Sequence, residues 1–74
     1  MAIQRILDRS GDTVHEFEVD DKEAVAEAME RFKDLVKNQG YWAVAKRADG
    51  SKKVVKTFDP TAPETMFMRQ LIGG

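Results

Sequence analysis

The chain reads as one α+β domain, with a single helix packed on a mixed sheet of four to five strands. Three observations predict this. One segment carries apolar residues at three- and four-residue steps. Short alternating segments flank it on both sides, two of them joined by a turn around Gly11 and two by Asp49-Gly50. A two-stranded hairpin is marginal in water, so these hairpins need a common sheet and a helix to cover it.

The elements follow in order. Ala2–Asp8 is an apolar strand. Ser10-Gly11-Asp12 is a turn, with Gly11 free to take positive φ. Thr13–Val19 returns, with His15, Phe17 and Val19 on one face and Val14, Glu16 and Glu18 on the other. Asp20 opens a helix as its cap, with Glu23 three residues on in a capping-box pattern. Val25, Ala28, Met29, Phe32, Leu35 and Val36 form one apolar stripe, which predicts a helix over about 21–38. Gly40 suits the left-handed residue after the helix. Tyr41–Arg47 and Lys52–Phe58 are strands around the Asp49-Gly50 turn. Asp59-Pro60-Thr61-Ala62-Pro63 is a loop, because each Pro lacks a donor and restricts its predecessor. Thr65–Ile72 is the last strand, followed by Gly73-Gly74. The expected core is Ile3, Leu7, Phe17, Val19, Val25, Met29, Phe32, Val36, Trp42, Val44, Val54 and Met68.

Composition narrows the function. The 74 residues, 42% hydrophobic and 34% charged, suit one globular domain, 1–74, rather than a disordered chain. With no cysteine there is no disulfide, thiolate nucleophile or Cys-based metal site. The one histidine, His15, shares no strand face with Glu16 or Glu18, so no metal site is expected. No apolar run exceeds the five residues Tyr41–Ala45, which predicts neither a membrane span nor a signal peptide and points to the cytoplasm. A chain this short has little room for a catalytic cleft, so a non-enzyme, a binding module or carrier, is expected.

The net charge of −1 gives no global attraction to nucleic acid. Its distribution is uneven. Residues 1–40 carry six basic and ten acidic side chains, and residues 41–74 carry six and three. Lys46, Arg47, Lys52 and Lys53 gather around the second hairpin and are candidates for docking an acidic partner. Tyr41 and Trp42 beside them could form a stacking platform for single-stranded nucleic acid, against the commoner role of a strand Trp as core. Met66 and Met68 suit either packing or an adaptable partner surface. Lys22, Lys33 and Lys37 are ordinary exposed lysines.

The ββαβββ order, closing on Glu64-Thr65-Met66-Phe67-Met68-Arg69-Gln70-Leu71-Ile72-Gly73-Gly74, resembles the β-grasp fold of ubiquitin and its relatives. The acidic-then-apolar last strand and diglycine are similar to those of prokaryotic sulfur carriers: the small subunit of molybdopterin synthase and the thiazole-synthesis carrier. They also look like small bacterial ubiquitin-like proteins encoded beside activating, conjugating or deconjugating enzymes. Ubiquitin has basic residues directly before its diglycine, whereas here Gln70, Leu71 and Ile72 intervene after Arg69. That departure points to the sulfur-carrier style of tail or a divergent activating enzyme.

The resemblance implies a protein with no bound cofactor, whose Gly74 carboxyl is adenylated by a partner that consumes ATP. Gly73 and Gly74 would form a flexible, sterically bare tail, with Gly74 reacting and Gly73 giving clearance. Arg69, Gln70 and Leu71 would be read by the partner's groove. A conjugating enzyme, a deconjugating protease or target lysines would follow if the chain is a modifier. The alternative is a β-grasp protein-binding module, such as a phage or enzyme accessory protein, with no conjugation chemistry.

Overall fold

In a computed structural model the chain is described over residues 1–8 and 11–69. The elements are β1 (Ala2–Asp8), β2 (Gly11–Phe17), α1 (Lys22–Lys33), β3 (Trp42–Lys46), β4 (Lys52–Val55) and β5 (Glu64–Met68). The five strands form one mixed sheet in the order β2-β1-β5-β3-β4, and α1 lies on one face of it. β1 and β5 pair in parallel at its centre, with Ile3 opposite Glu64 and Ile6 opposite Phe67. The other three pairings are antiparallel.

Two termini differ from the sequence-based expectation. The cap of α1 is Asp21, not Asp20. Its carboxylate accepts from the N–H groups of Glu23 (3.1 Å) and Ala24 (3.2 Å). The α-helix stops at Lys33 and continues as a wider, π-helical turn over Asp34–Asn38. Gln39 N–H reaches back to Asp34 O at 3.1 Å, and Tyr41 N–H to Leu35 O at 2.9 Å. The Asp34 carboxylate accepts from Asn38 Nδ2 (2.9 Å) and Gln39 Nε2 (2.6 Å), which holds the wide turn closed from outside. Gly40 follows with φ 75°, as its position after the helix requires.

β1 has the expected bounds, β2 is shifted by two residues toward the N-terminus, and β3, β4 and β5 are shorter than the sequence suggests. Gly11 pairs with Asp8 as the first residue of β2, so the connection falls on Arg9 and Ser10, outside the described residues. β2 ends at Phe17, which leaves Val19 exposed. The Asp49-Gly50 turn forms as expected. Gly50 has φ 89°, and its N–H donates to Arg47 O at 2.9 Å. β4 ends at Val55 rather than Phe58. Phe58 leaves the sheet and inserts beside the helix, its ring centroid 6.1 Å from Phe17 and 5.8 Å from Phe32. It contacts both groups of buried residues and so joins them into one core. The expected last strand to Ile72 is described only as far as Arg69 and is extended over Glu64–Met68.

The core differs from the expected set because the sheet presents its other face to the helix. Buried against α1 are Ala2, Gln4, Phe17, Ala43, Ala45, Thr65 and Phe67, with Ala28, Phe32 and Leu35 from the helical side. Of the expected core, Phe17 and Phe32 are buried, and Val25 and Val36 pack at its margin. Ile3, Leu7, Val44 and Met68 occupy the alternate strand positions and are only half-buried; Trp42, Val54, Val19 and Met29 are exposed. The physical reason is clearance. A helix seated close on a sheet leaves room for alanines and one or two large rings, not for Trp42 and a row of branched side chains. Among the described residues, the largest fully buried polar side chain is Gln4, which lies under the helix. Its Nε2 donates to Ala28 O at 2.9 Å, and its Oε1 accepts from Arg31 at 2.7 Å.

Candidate functional site

The expected activation residues Gly73 and Gly74, with Gln70 and Leu71 before them, lie outside the described residues. What the structure fixes is where their segment departs. β5 runs up the middle of the sheet and ends at Met68, opposite Trp42. Arg69 is exposed, and its guanidinium lies 5.2 Å from the centroid of the Tyr41 ring. Tyr41 is buried, so the last described residue rests by a cation–π contact on a side chain anchored in the core.

The basic residues do not gather there. β3 runs antiparallel to β5, so Lys46 lies opposite Glu64, at the far end from Met68. Four residue steps along β3 separate it from Trp42, ~13 Å. Lys46 faces Lys52 across the hairpin, Lys53 faces Ala45 at the alternate position, and Arg47 begins the turn. The four candidates are therefore divided between the two faces of the hairpin. Tyr41 and Trp42 are likewise divided, one buried and the other about half exposed, which separates the two rings of the expected stacking platform.

The uncovered face of the sheet carries the most informative surface. The strand registers align Val14, Arg5, Met66, Val44 and Val54 in one row across all five strands. Leu7, Met68 and Trp42 extend it toward the end where β5 stops. Trp42 is 46% exposed, Val54 51% and Val14 44%. Arg5 crosses this face between two carboxylates, with Nε 3.2 Å from Glu64 and NH1 3.6 Å from Asp12. The sequence reading placed several of these residues inside. The signal available was the opposite phase: Ala43 and Ala45 alternate with Trp42 and Val44, and the small pair suits the side beneath a helix.

Elsewhere, Met29, Phe32, Val36 and Phe58 line a cleft of about 270 Å³ rimmed by Lys33, Lys37 and Lys56. His15 stands in the groove between β2 and α1, near Arg31. Burial first, and the Arg31 charge second, hold its pKa below the usual 6.5. Asp34, Asp49 and Asp59 are held below the ordinary carboxylate value chiefly by hydrogen bonds from Asn38, Ser51 and Thr61 respectively. These carboxylates close turns and are engaged locally. Among the described residues no three His, Cys, Asp or Glu side chains gather to hold a metal ion, and no helix is long and apolar enough to cross a membrane.

No protein-family model, curated protein or solved structure matches the chain.

Proposed function

We propose that this is a ubiquitin-like protein of β-grasp architecture, a modifier or sulfur carrier whose Gly74 carboxyl is adenylated by a partner enzyme. The observation that supports it is the arrangement of five strands around one helix: two strands, the helix, then three strands, with the first and last side by side in one mixed sheet. That is the element order on which the resemblance rests. Gly73 and Gly74 stand five and six positions after the end of β5. Six residues span at most ~20 Å when extended, enough to enter a nucleotide site while the domain stays outside.

The chemistry is the partner's. A carboxylate is a poor electrophile. Its oxygen attacks the α-phosphorus of ATP and pyrophosphate leaves. Sulfide or a cysteine thiolate then attacks the acyl carbon and AMP leaves. A sulfur carrier ends as a thiocarboxylate, and a modifier goes on to an amide with a lysine. Glycine at both positions removes the Cβ that would obstruct attack and close approach. The reading holds whether the carboxyl at Gly74 is encoded or produced by cleavage.

The test incubates the protein with ATP and an adenylating enzyme encoded in the same genome, followed by intact-mass analysis. An acyl-adenylate, a thioester or the exchange of one oxygen for sulfur is expected, and the product distinguishes carrier from modifier. Gly74→Ala or removal of residues 73–74 abolishes it with unfolding temperature unchanged. Absence of any adduct with every adenylating enzyme of that genome overturns the reading.

A non-covalent binding module is the second reading, favoured by the exposed Trp42 and Val54. If it uses the basic hairpin, charge reversal at Lys52 and Lys53 weakens partner capture in a salt-dependent way.

A further inference from the structure

We propose that the open face of the sheet docks a second copy of this chain, face to face, in a weak symmetric dimer. The proposal is independent of any chemistry at Gly74. α1 covers one side of the sheet, and no helix or strand among the described residues covers the other. Its middle carries Ile3, Leu7, Met66, Met68 and Val44 around the Arg5–Glu64 ion pair, and Trp42, Val54 and Val14 are each about half exposed. An exposed apolar surface of this extent marks a contact site.

The charges identify the occupant. On this face the β2 edge presents Glu16, opposite Ile3. The β3–β4 edge presents Lys46 and Lys52, opposite each other. All three are exposed, and none forms an ion pair among the described residues. The surface is acidic at one edge and basic at the other, and its middle is apolar but for the Arg5–Glu64 ion pair, which is neutral as a unit. Such a surface is complementary to itself. A two-fold axis along β5 turns the β2 edge of one copy over the β4 edge of the other, so that the Glu16–Lys52 contact is made twice. The same rotation sets Met66 on Met66, Val14 over Val54 and Leu7 over Trp42, and brings Glu64 to Glu64, each neutralised by its own Arg5. It also keeps the strands of the two sheets nearly aligned, the usual way sheets pack face to face.

The area sets the strength. Five strands at ~4.8 Å give a width of ~24 Å, and three rows along the strands give ~17 Å, a footprint on the order of 400 Å² per copy. Two copies bury an area below the ~1,200 Å² of standard interfaces, in the range of transient ones. A contact of this size suits a transient dimer, to be sought at high chain concentration.

Sedimentation velocity on the full chain at low salt tests this, from about 10 μM to about 1 mM. Wild type is expected to pass from monomer to dimer, with the Trp42 emission moving to shorter wavelength over the same range. Glu16→Lys and Lys52→Glu each place like charges in both edge contacts and weaken self-association about tenfold. Mixed in equal amounts they restore it, because each reversed edge then meets its opposite. Both positions are exposed, so unfolding temperatures stay unchanged; the wild-type dilution series and the Trp42 emission need no variant. A wild type that remains monomeric at about 1 mM overturns the proposal, as does a mixture that associates no better than either variant alone.

Discussion

Replacing Gln4 separates what volume and hydrogen bonding contribute beneath the helix. Gln4→Ala removes four heavy atoms from a fully buried site. A residual cavity of about 50 Å³ at ~24 cal/mol per Å³ costs ~1.2 kcal/mol. The bond to Ala28 O adds ~1 kcal/mol. The bond from Arg31 adds ~1 kcal/mol, below the ~1.5–3 kcal/mol usual for a charged donor because Arg31 is partly solvated and can turn to water. The sum is ~3 kcal/mol, a fall of roughly 12–24 °C in unfolding temperature for a domain this size. Gln4→Leu loses the same bonds but fills the space with apolar atoms, whose burial gains ~1.5–3 kcal/mol. Ala28 O keeps its place in the helix, so the leucine variant should lie within ~1 kcal/mol of wild type. Thermal and urea unfolding followed by circular dichroism read both values. A leucine variant as damaged as the alanine variant, or an alanine variant costing under ~1 kcal/mol, refutes the reasoning.

Three further outcomes follow from the geometry. Phe67→Ala empties a fully buried site against Phe32, with ring centroids 5.6 Å apart, and should cost ~3–5 kcal/mol, enough that one-dimensional NMR loses its dispersed methyl signals. Gly50→Ala meets no atom within 4 Å, yet φ 89° is unfavourable for any side chain, so urea unfolding should show a loss of ~1 kcal/mol. The depressed pKa of His15 means that the folded state resists protonation, so the stabilisation present above the unfolded pKa near 6.5 is lost as pH falls through the lower folded value; His15→Gln should flatten that part of the stability–pH curve, leaving the later loss from Asp34, Asp49 and Asp59 as they protonate below 3.8.

The helix was legible because its periodicity runs over several turns and its apolar stripe has one partner to face. The second hairpin was legible because Asp49-Gly50 is a local signal that needs no tertiary context. The facing of the sheet was not. Hydropathy ranks Ile3, Trp42 and Val54 above Ala43, Ala45 and Gln4, while the space beneath the helix selects by size and by the bonds Ala28 and Arg31 offer to Gln4. Phe58 reads as strand from its neighbours Val54 and Val55, yet the gap between Phe17 and Phe32 draws it out of the ladder. The wide turn at Asp34–Asn38 has no periodic signature, because it depends on side-chain bonds reaching back to one carboxylate. For the candidate site, sequence identified the basic residues of the hairpin, but not that the antiparallel course of β3 carries Lys46 away from Arg69.

The placement of β5 has a consequence for biosynthesis. It is the last of these strands to be translated, yet it joins β1 to β3 in the middle of the sheet. Until it emerges from the ribosome, the two hairpins have no shared neighbour, and the parallel partner of β1 lies some sixty residues downstream. Such long-range pairing slows folding and delays it until β5 itself is free. A nascent chain stalled before Glu64 would expose the inner edges of both hairpins, making it a ready substrate for chaperones and proteases.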